Sequence, residues 1–194
     1  MFQIRIHGRG GQGVVTAAEL LSVAAFLEGK RAQAFPSFGS ERMGAPVMAF
    51  CRIDQKPIRL REPVIHPDAL IIQDPTLLHQ VDLFDGLSAQ GFLLLNSGRS
   101  FEELGLGEFI AKFPAGHCRT VPASELALRH VGRPLPNAAL LGGFAGITGM
   151  LKIESVIAAI RAKFAAKIAD ANVLAAQDAY DSVRRSLETE TVHA

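Results

Sequence analysis

Cysteine is scarce. Only Cys51 and Cys118 occur in 194 residues, far apart and outside any C-x-x-C pair, which argues against a disulfide framework or a four-thiolate metal site and fits a reducing cytoplasm. Neither sign of charge is in excess, with 20 Lys and Arg against 19 Asp and Glu and no basic run able to follow a phosphate backbone, so no nucleic-acid partner is expected. The six histidines form no H-x-x-H or H-E-x-x-H pair, and no Ser, His and Asp set stands out, so no metal and no catalytic residue is assigned. Long apolar runs are missing as well. The longest, AALLGGFAGITGML, falls short of the roughly 20 residues that span a bilayer and is rich in glycine, so a buried helix and no membrane span are expected. Arg5, His7 and Arg9 interrupt the N-terminal apolar stretch too early for a signal peptide. No internal repeat is apparent.

With 48% hydrophobic and 20% charged residues, the composition is that of a globular chain able to bury a core. One domain is expected over residues 1–187, with 188–194 as a flexible tail. Residues 2–7 alternate Phe2, Ile4 and Ile6 with polar side chains, the period of a strand. From Val14 apolar residues return at helical spacing (Ala17, Leu21, Ala24, Ala25) until Gly29 offers a left-handed stop. RAQAF is a second short strand candidate, and PSFGSERMGAP reads as an exposed loop. VMAFCRI and PIRLR, separated by DQK, have the pattern of a β-hairpin, with Ile58 and Leu60 on one face and Arg59 and Arg61 on the other. DALIIQD and GFLLLNSG suit central parallel strands. Residues 117–121 suggest another strand, followed by a helix that Ser124 would cap and Gly132 would stop; Asn137 would cap the glycine-rich helix, and helices over 154–164 and 172–186 complete the chain. The fold expected is α/β: a Rossmann-like sheet flanked by helices, with a β-hairpin insertion near the carboxyl ends of the strands.

Gly8, Gly10 and Gly13 match G-x-G-x-x-G between a strand and a helix. Such a loop lets backbone approach a phosphate, and the helix N-terminus that follows presents unpaired N–H groups. A dinucleotide site also calls for an acid about 20 residues on, at the end of the second strand. KRAQAFPSF supplies none, and Glu28 falls inside the helix. Two readings stay open beside a nucleotide site: glycines that serve only tight strand-to-helix packing, and a phosphate-binding loop of another kind.

HGRGGQGVVTAAELL, PSFGSERMGAPVMAFCRI, PDALIIQDPTLL and GRPLPNAALLGGFAGITG, in that order, resemble the gamma subunit of the 2-oxoacid:acceptor oxidoreductases, the pyruvate:ferredoxin oxidoreductase family. Gly8, Gly10, Gly11, Gln12 and Gly13 match its first motif, and Glu41, Arg42 and Gly44 its second; Met43 stands where the family usually has arginine. The resemblance implies an oxidoreductase complex that decarboxylates pyruvate or a related, including aromatic or branched, 2-oxoacid and passes the acyl group to coenzyme A. It implies thiamine diphosphate, Mg2+ and iron–sulfur clusters in the complex, alpha, beta and delta-type subunits as partners, and ferredoxin or an NAD-linked acceptor. This chain has neither a GDG and NN pattern for a diphosphate and magnesium site nor the cysteines for a cluster, so it would hold none of these cofactors alone.

On the same resemblance the expected role is architectural and coenzyme facing, with Gly8, Arg9, Gly10, Gly11, Gln12, Gly13, Glu41, Arg42 and Gly44 as the binding residues. Arg9, Arg42, Arg59 and Arg61 could meet the phosphates of coenzyme A. Glu41 and Arg42 could equally pair with each other or with another subunit. The alternatives are a free-standing NAD- or FAD-binding Rossmann oxidoreductase and a purely structural interaction subunit.

Overall fold

The structure is a computed structural model that describes residues 1–37 and 43–193, with side chains through residue 190. Its centre is a six-stranded sheet of order β2-β3-β1-β4-β5-β6. β1 (Phe2–Arg9), β4 (Ala69–Ile72), β5 (Phe92–Asn96) and β6 (Cys118–Val121) run parallel, whereas β3 (Pro46–Asp54) is antiparallel to both β1 and β2 (Arg31–Pro36). All four residues of β4 are buried, as a strand covered on both faces requires.

Helices α1 (Val14–Leu27), α4 (Asn137–Thr148), α5 (Ile153–Lys163) and α6 (Ala166–His193) bury one sheet face. The other face carries a smaller core of Leu70, Ile72, Leu93, Leu95 and Phe101, under the 3-10 turn Pro75–His79 and the short α2 (Gly107–Ile110). Helix α3 (Ala123–Val131) stops at Gly132 as anticipated, and the glycine there is left-handed. Along α4 every residue from Asn137 to Ile147 is buried. Gly142 explains how α6 comes so close, because a Cβ there would overlap the Ala176 carbonyl. Core packing therefore accounts for this glycine.

Four local expectations change. β3 is present, but its partners are β1 and β2; residues 57–61 form no strand, so the antiparallel hairpin is β2–β3. Arg52, buried on β3, takes the main-chain carbonyl of Glu62 (2.6 Å) and thereby holds the chain after β3 across the sheet face rather than in its plane. Ser124 lies inside α3, and its amide is accepted by the Asn96 side chain at 3.1 Å, so the cap comes from β5. Asn137 is the first residue of α4, preceded by Pro136 at the cap position, and its amide group abuts Gly13 instead. Helix α6 starts earlier than residue 172 and its backbone continues through His193, across the segment expected as a tail. No described helix is long and apolar enough to cross a membrane.

Candidate functional site

The carboxyl ends of the parallel strands carry the loops that bring the two glycine motifs together. β1 runs into Gly8, where a Cβ would come within 2.6 Å of the Val14 side chain and 3.1 Å of Gln12 Oε1. Gly13 is left-handed (φ 74°) and opens α1 without a side-chain cap. A side chain there would also meet Asn137 Nδ2 at 2.7 Å. The loop therefore needs glycine for backbone conformation and for close approach at once.

Gly10 zips this loop to the second motif. Its N–H donates to the Ala45 carbonyl (2.9 Å) and its carbonyl accepts from the Gly44 N–H (3.1 Å), beside a bridge to Met43. The Met43 sulfur lies over Gly11, so the residue that departs from the family pattern seats against the first motif while remaining exposed. Glu41 and Arg42 lie outside the described residues.

Arg9 is an internal clamp. Its guanidinium donates to the Gly44 carbonyl (3.0 Å), to Thr76 Oγ1 (2.7 Å) and to Gln80 Oε1 (2.9 Å), and it pairs with Asp74 Oδ2 at 3.2 Å. Gln12 reinforces it: Oε1 accepts the Arg9 N–H (2.8 Å) while Nε2 donates to Asp74 (2.7 Å). Asp74 also caps the 3-10 turn through the Thr76 amide (2.9 Å) and hydroxyl (2.6 Å). Burial alone would raise the Asp74 pKa, but the bonds from Thr76 and Gln12 and the charge of Arg9 outweigh it and hold the carboxyl below its ordinary value.

Asp74, Thr76 and Gln80 were not among the residues anticipated. The signal for Asp74 was available, since Asp before Pro is a strong cap and turn pair. Its link to Arg9, 65 positions away, was not. Arg59 and Arg61 are exposed on the segment that leaves β3 at its far end from the glycine loop, and so stand apart from this site.

Beside the zipped loops lies an open cleft of about 590 Å³, lined by Gly11, Gly13, Val14, Thr16, Pro36 and Val47. The first turn of α1 faces it, with the partial positive charge of a helix start. Phosphate could be met there by main-chain N–H groups, because the nearest described cation, Arg9, already has its partners. A dinucleotide arrangement fits less well: β3 stands between β1 and β2, so the end of β2 is one strand further from the glycine loop than an adjacent second strand would be, and Pro36 and Ser37 carry no acid there. Among the described residues no cluster of three or more His, Cys, Asp or Glu could hold a metal ion.

Comparison with known proteins gives a consistent result. A family model described as pyruvate ferredoxin/flavodoxin oxidoreductase matches residues 3–182. Pyruvate synthase subunit PorC of Methanothermobacter marburgensis is 47% identical over 186 residues, covering 96% of this chain and 99% of that protein. The pyruvate/ketoisovalerate oxidoreductases common subunit gamma of Pyrococcus furiosus is 47% identical over 181 residues, 93% of this chain and 96% of its own length. The crystal structure of pyruvate oxidoreductase subunit PORC from Thermotoga maritima superposes with a TM-score of 0.77 at 36% identity, covering 93% of this chain and 95% of that one.

Proposed function

The chain belongs to the pyruvate ferredoxin/flavodoxin oxidoreductase family, as a gamma-type member, and on that premise we propose that its cleft encloses part of the coenzyme A path in a cytoplasmic, CoA-acylating complex. Alpha, beta and delta-type subunits would hold the thiamine diphosphate, Mg2+ and iron–sulfur clusters and pass electrons to ferredoxin or an NAD-linked acceptor. The 2-oxoacid, pyruvate or a relative, would bind largely outside this chain. The observation that carries this reading is the uncapped start of α1 opening onto a cleft of about 590 Å³ beside the glycine loop, which suits a phosphate met by N–H groups.

Thr16→Glu in the complete complex tests it. An acid in the first turn suits the helix dipole, so α1 should persist, while its charge opposes a phosphate in the cleft. Expected are an intact complex, at least a tenfold rise in KM for coenzyme A, and unchanged kcat and pyruvate KM. An unchanged KM for coenzyme A overturns the reading.

The internal use of Arg9, Gly10 and Gln12 favours a second reading, in which the glycine loop serves assembly alone. There, disrupting the clamp with Arg9→Gln lowers subunit assembly and activity together, and the coenzyme A requirement of the complex that still forms stays as it was.

A further inference from the structure

Residues 57–61 have the alternation of a strand, and among the described residues no strand pairs with them. Pro57 and Pro63 bound the stretch, which follows β3 and is exposed except at the half-buried Ile58, with Leu60 at 42% of its full accessibility. Among the described residues, the main-chain N–H groups of Ile58, Arg59, Leu60, Arg61 and Glu62 have no hydrogen-bond partner. The ends are nevertheless fixed. Asp54 accepts the Lys56 amide at 3.1 Å, and Arg52 holds the Glu62 carbonyl at 2.6 Å. Further on, Val64 is buried, and Arg5 donates to the carbonyls of Ile65 (3.3 Å), Leu83 (2.9 Å) and Asp85 (2.6 Å). A stretch anchored at both ends with its donors free has already met much of the ordering cost of docking.

Its charge is mainly positive. Lys56, Arg59 and Arg61 enter no ion pair among the described residues, and the one acid, Glu62, lies close enough to Arg52 to act on its charge. Continued as a strand, the stretch places Arg59 and Arg61 on one face and Ile58 and Leu60 on the other.

We propose that residues 57–62 dock as an added β-strand on a sheet edge of another subunit of the oxidoreductase, one that presents acidic side chains to Arg59 and Arg61. This rests on the reading of the chain as part of a multi-subunit complex. Main-chain pairing supplies the fit, the arginines select the partner, and Leu60 loses its exposure to water.

Hydrogen exchange on the native complex and on the isolated chain tests the assignment. Amides of 58–62 should exchange at least tenfold more slowly in the complex and without protection in the isolated chain at any concentration. Arg59→Glu with Arg61→Glu should weaken association at least tenfold at low salt and leave the unfolding midpoint of the isolated chain in place. A complex that assembles while these amides still exchange fast overturns the docking strand alone. Protection that grows with the concentration of the isolated chain assigns the strand to a second copy and overturns the partner proposed. A native chain that purifies without larger subunits overturns both this inference and the reading beneath it.

Discussion

The Arg9 guanidinium stands 3.2 Å from the Asp74 carboxylate, and through that pair the end of β1, the turn after β4 and the Gly44 loop are held as one unit. Both side chains are mostly shielded, and hydrogen bonds to charged groups are worth about 1.5–3 kcal/mol each where water is excluded. Asp74→Asn keeps the shape and removes the charge, so it should destabilise the chain by about 1–3 kcal/mol and speed exchange of the Gly10 and Gly44 amides. Because folding depresses the Asp74 pKa, its contribution is complete above the unfolded value near about 3.9 and disappears as pH falls through the folded value. Denaturant melts at pH 7 and pH 3 should show the variant losing less than the parent on acidification.

His7 gives a pH dependence at milder acidity. Burial first, and then the neighbouring Arg5, lower its pKa from 6.5 to about 3. Above pH 6.5 the imidazole is neutral in both folded and unfolded chains; as pH falls toward about 3 only the unfolded chain takes the proton, so stability drops. His7→Leu should remove that component, on the order of 1 kcal/mol per pH unit between about pH 6 and pH 4. Equal pH slopes for parent and variant would show that His7 is not held neutral.

Gly142→Ala should cost about 1–3 kcal/mol or more, because the added methyl meets the Ala176 main chain rather than a side chain that can turn away. Gly132→Ala, with open space around the same methyl but a φ of 77°, should cost about 1 kcal/mol through backbone conformation alone. Thermal melts of the two variants separate contact from conformation.

Both thiols should be inert in the folded chain. Burial pushes Cys51 up to about 12, and burial, partly offset by Arg119, pushes Cys118 up to about 11. Since the thiolate is the reacting form, alkylation should run roughly a hundredfold or more slower than for a free cysteine until denaturant is added. Rapid labelling of either residue in native buffer would contradict their burial.

Local pattern made much of this fold legible, and long-range partnership limited the rest. Val14, Ala17, Leu21, Ala24 and Ala25 are all buried in α1 as their spacing requires, and the apolar runs 69–72 and 92–96 are central parallel strands. Alternation at 57–61 reported a stretch suited to pairing but not the presence of a partner, which is a property of the whole sheet. Ser124 and Asn137 have the chemistry of caps, yet Asn96 and Gly13, distant in sequence, determine what their groups meet. At the candidate site, the sequence pattern placed Gly8, Gly10 and Gly13 between a strand and a helix, where β1 meets α1. That Gly10 would bond to Gly44 and Ala45, or that Arg9 would reach Thr76, followed only from the folded chain.

The place of β3 bears on the order in which this sheet can be made. β1 and β2 are neighbours in sequence but share no pairing, because β3 lies between them. A nascent chain that ends at Pro36 therefore holds two strands and a helix with no strand pair to nucleate on. Synthesis must proceed through Asp54 before β2 gains its partner and β1 its first, and only Ala69–Ile72 then gives β1 its second. Until Asp54 has been made, the apolar residues of β1 and α1 have no sheet to enter, and they stay exposed for as long as that stretch of synthesis takes.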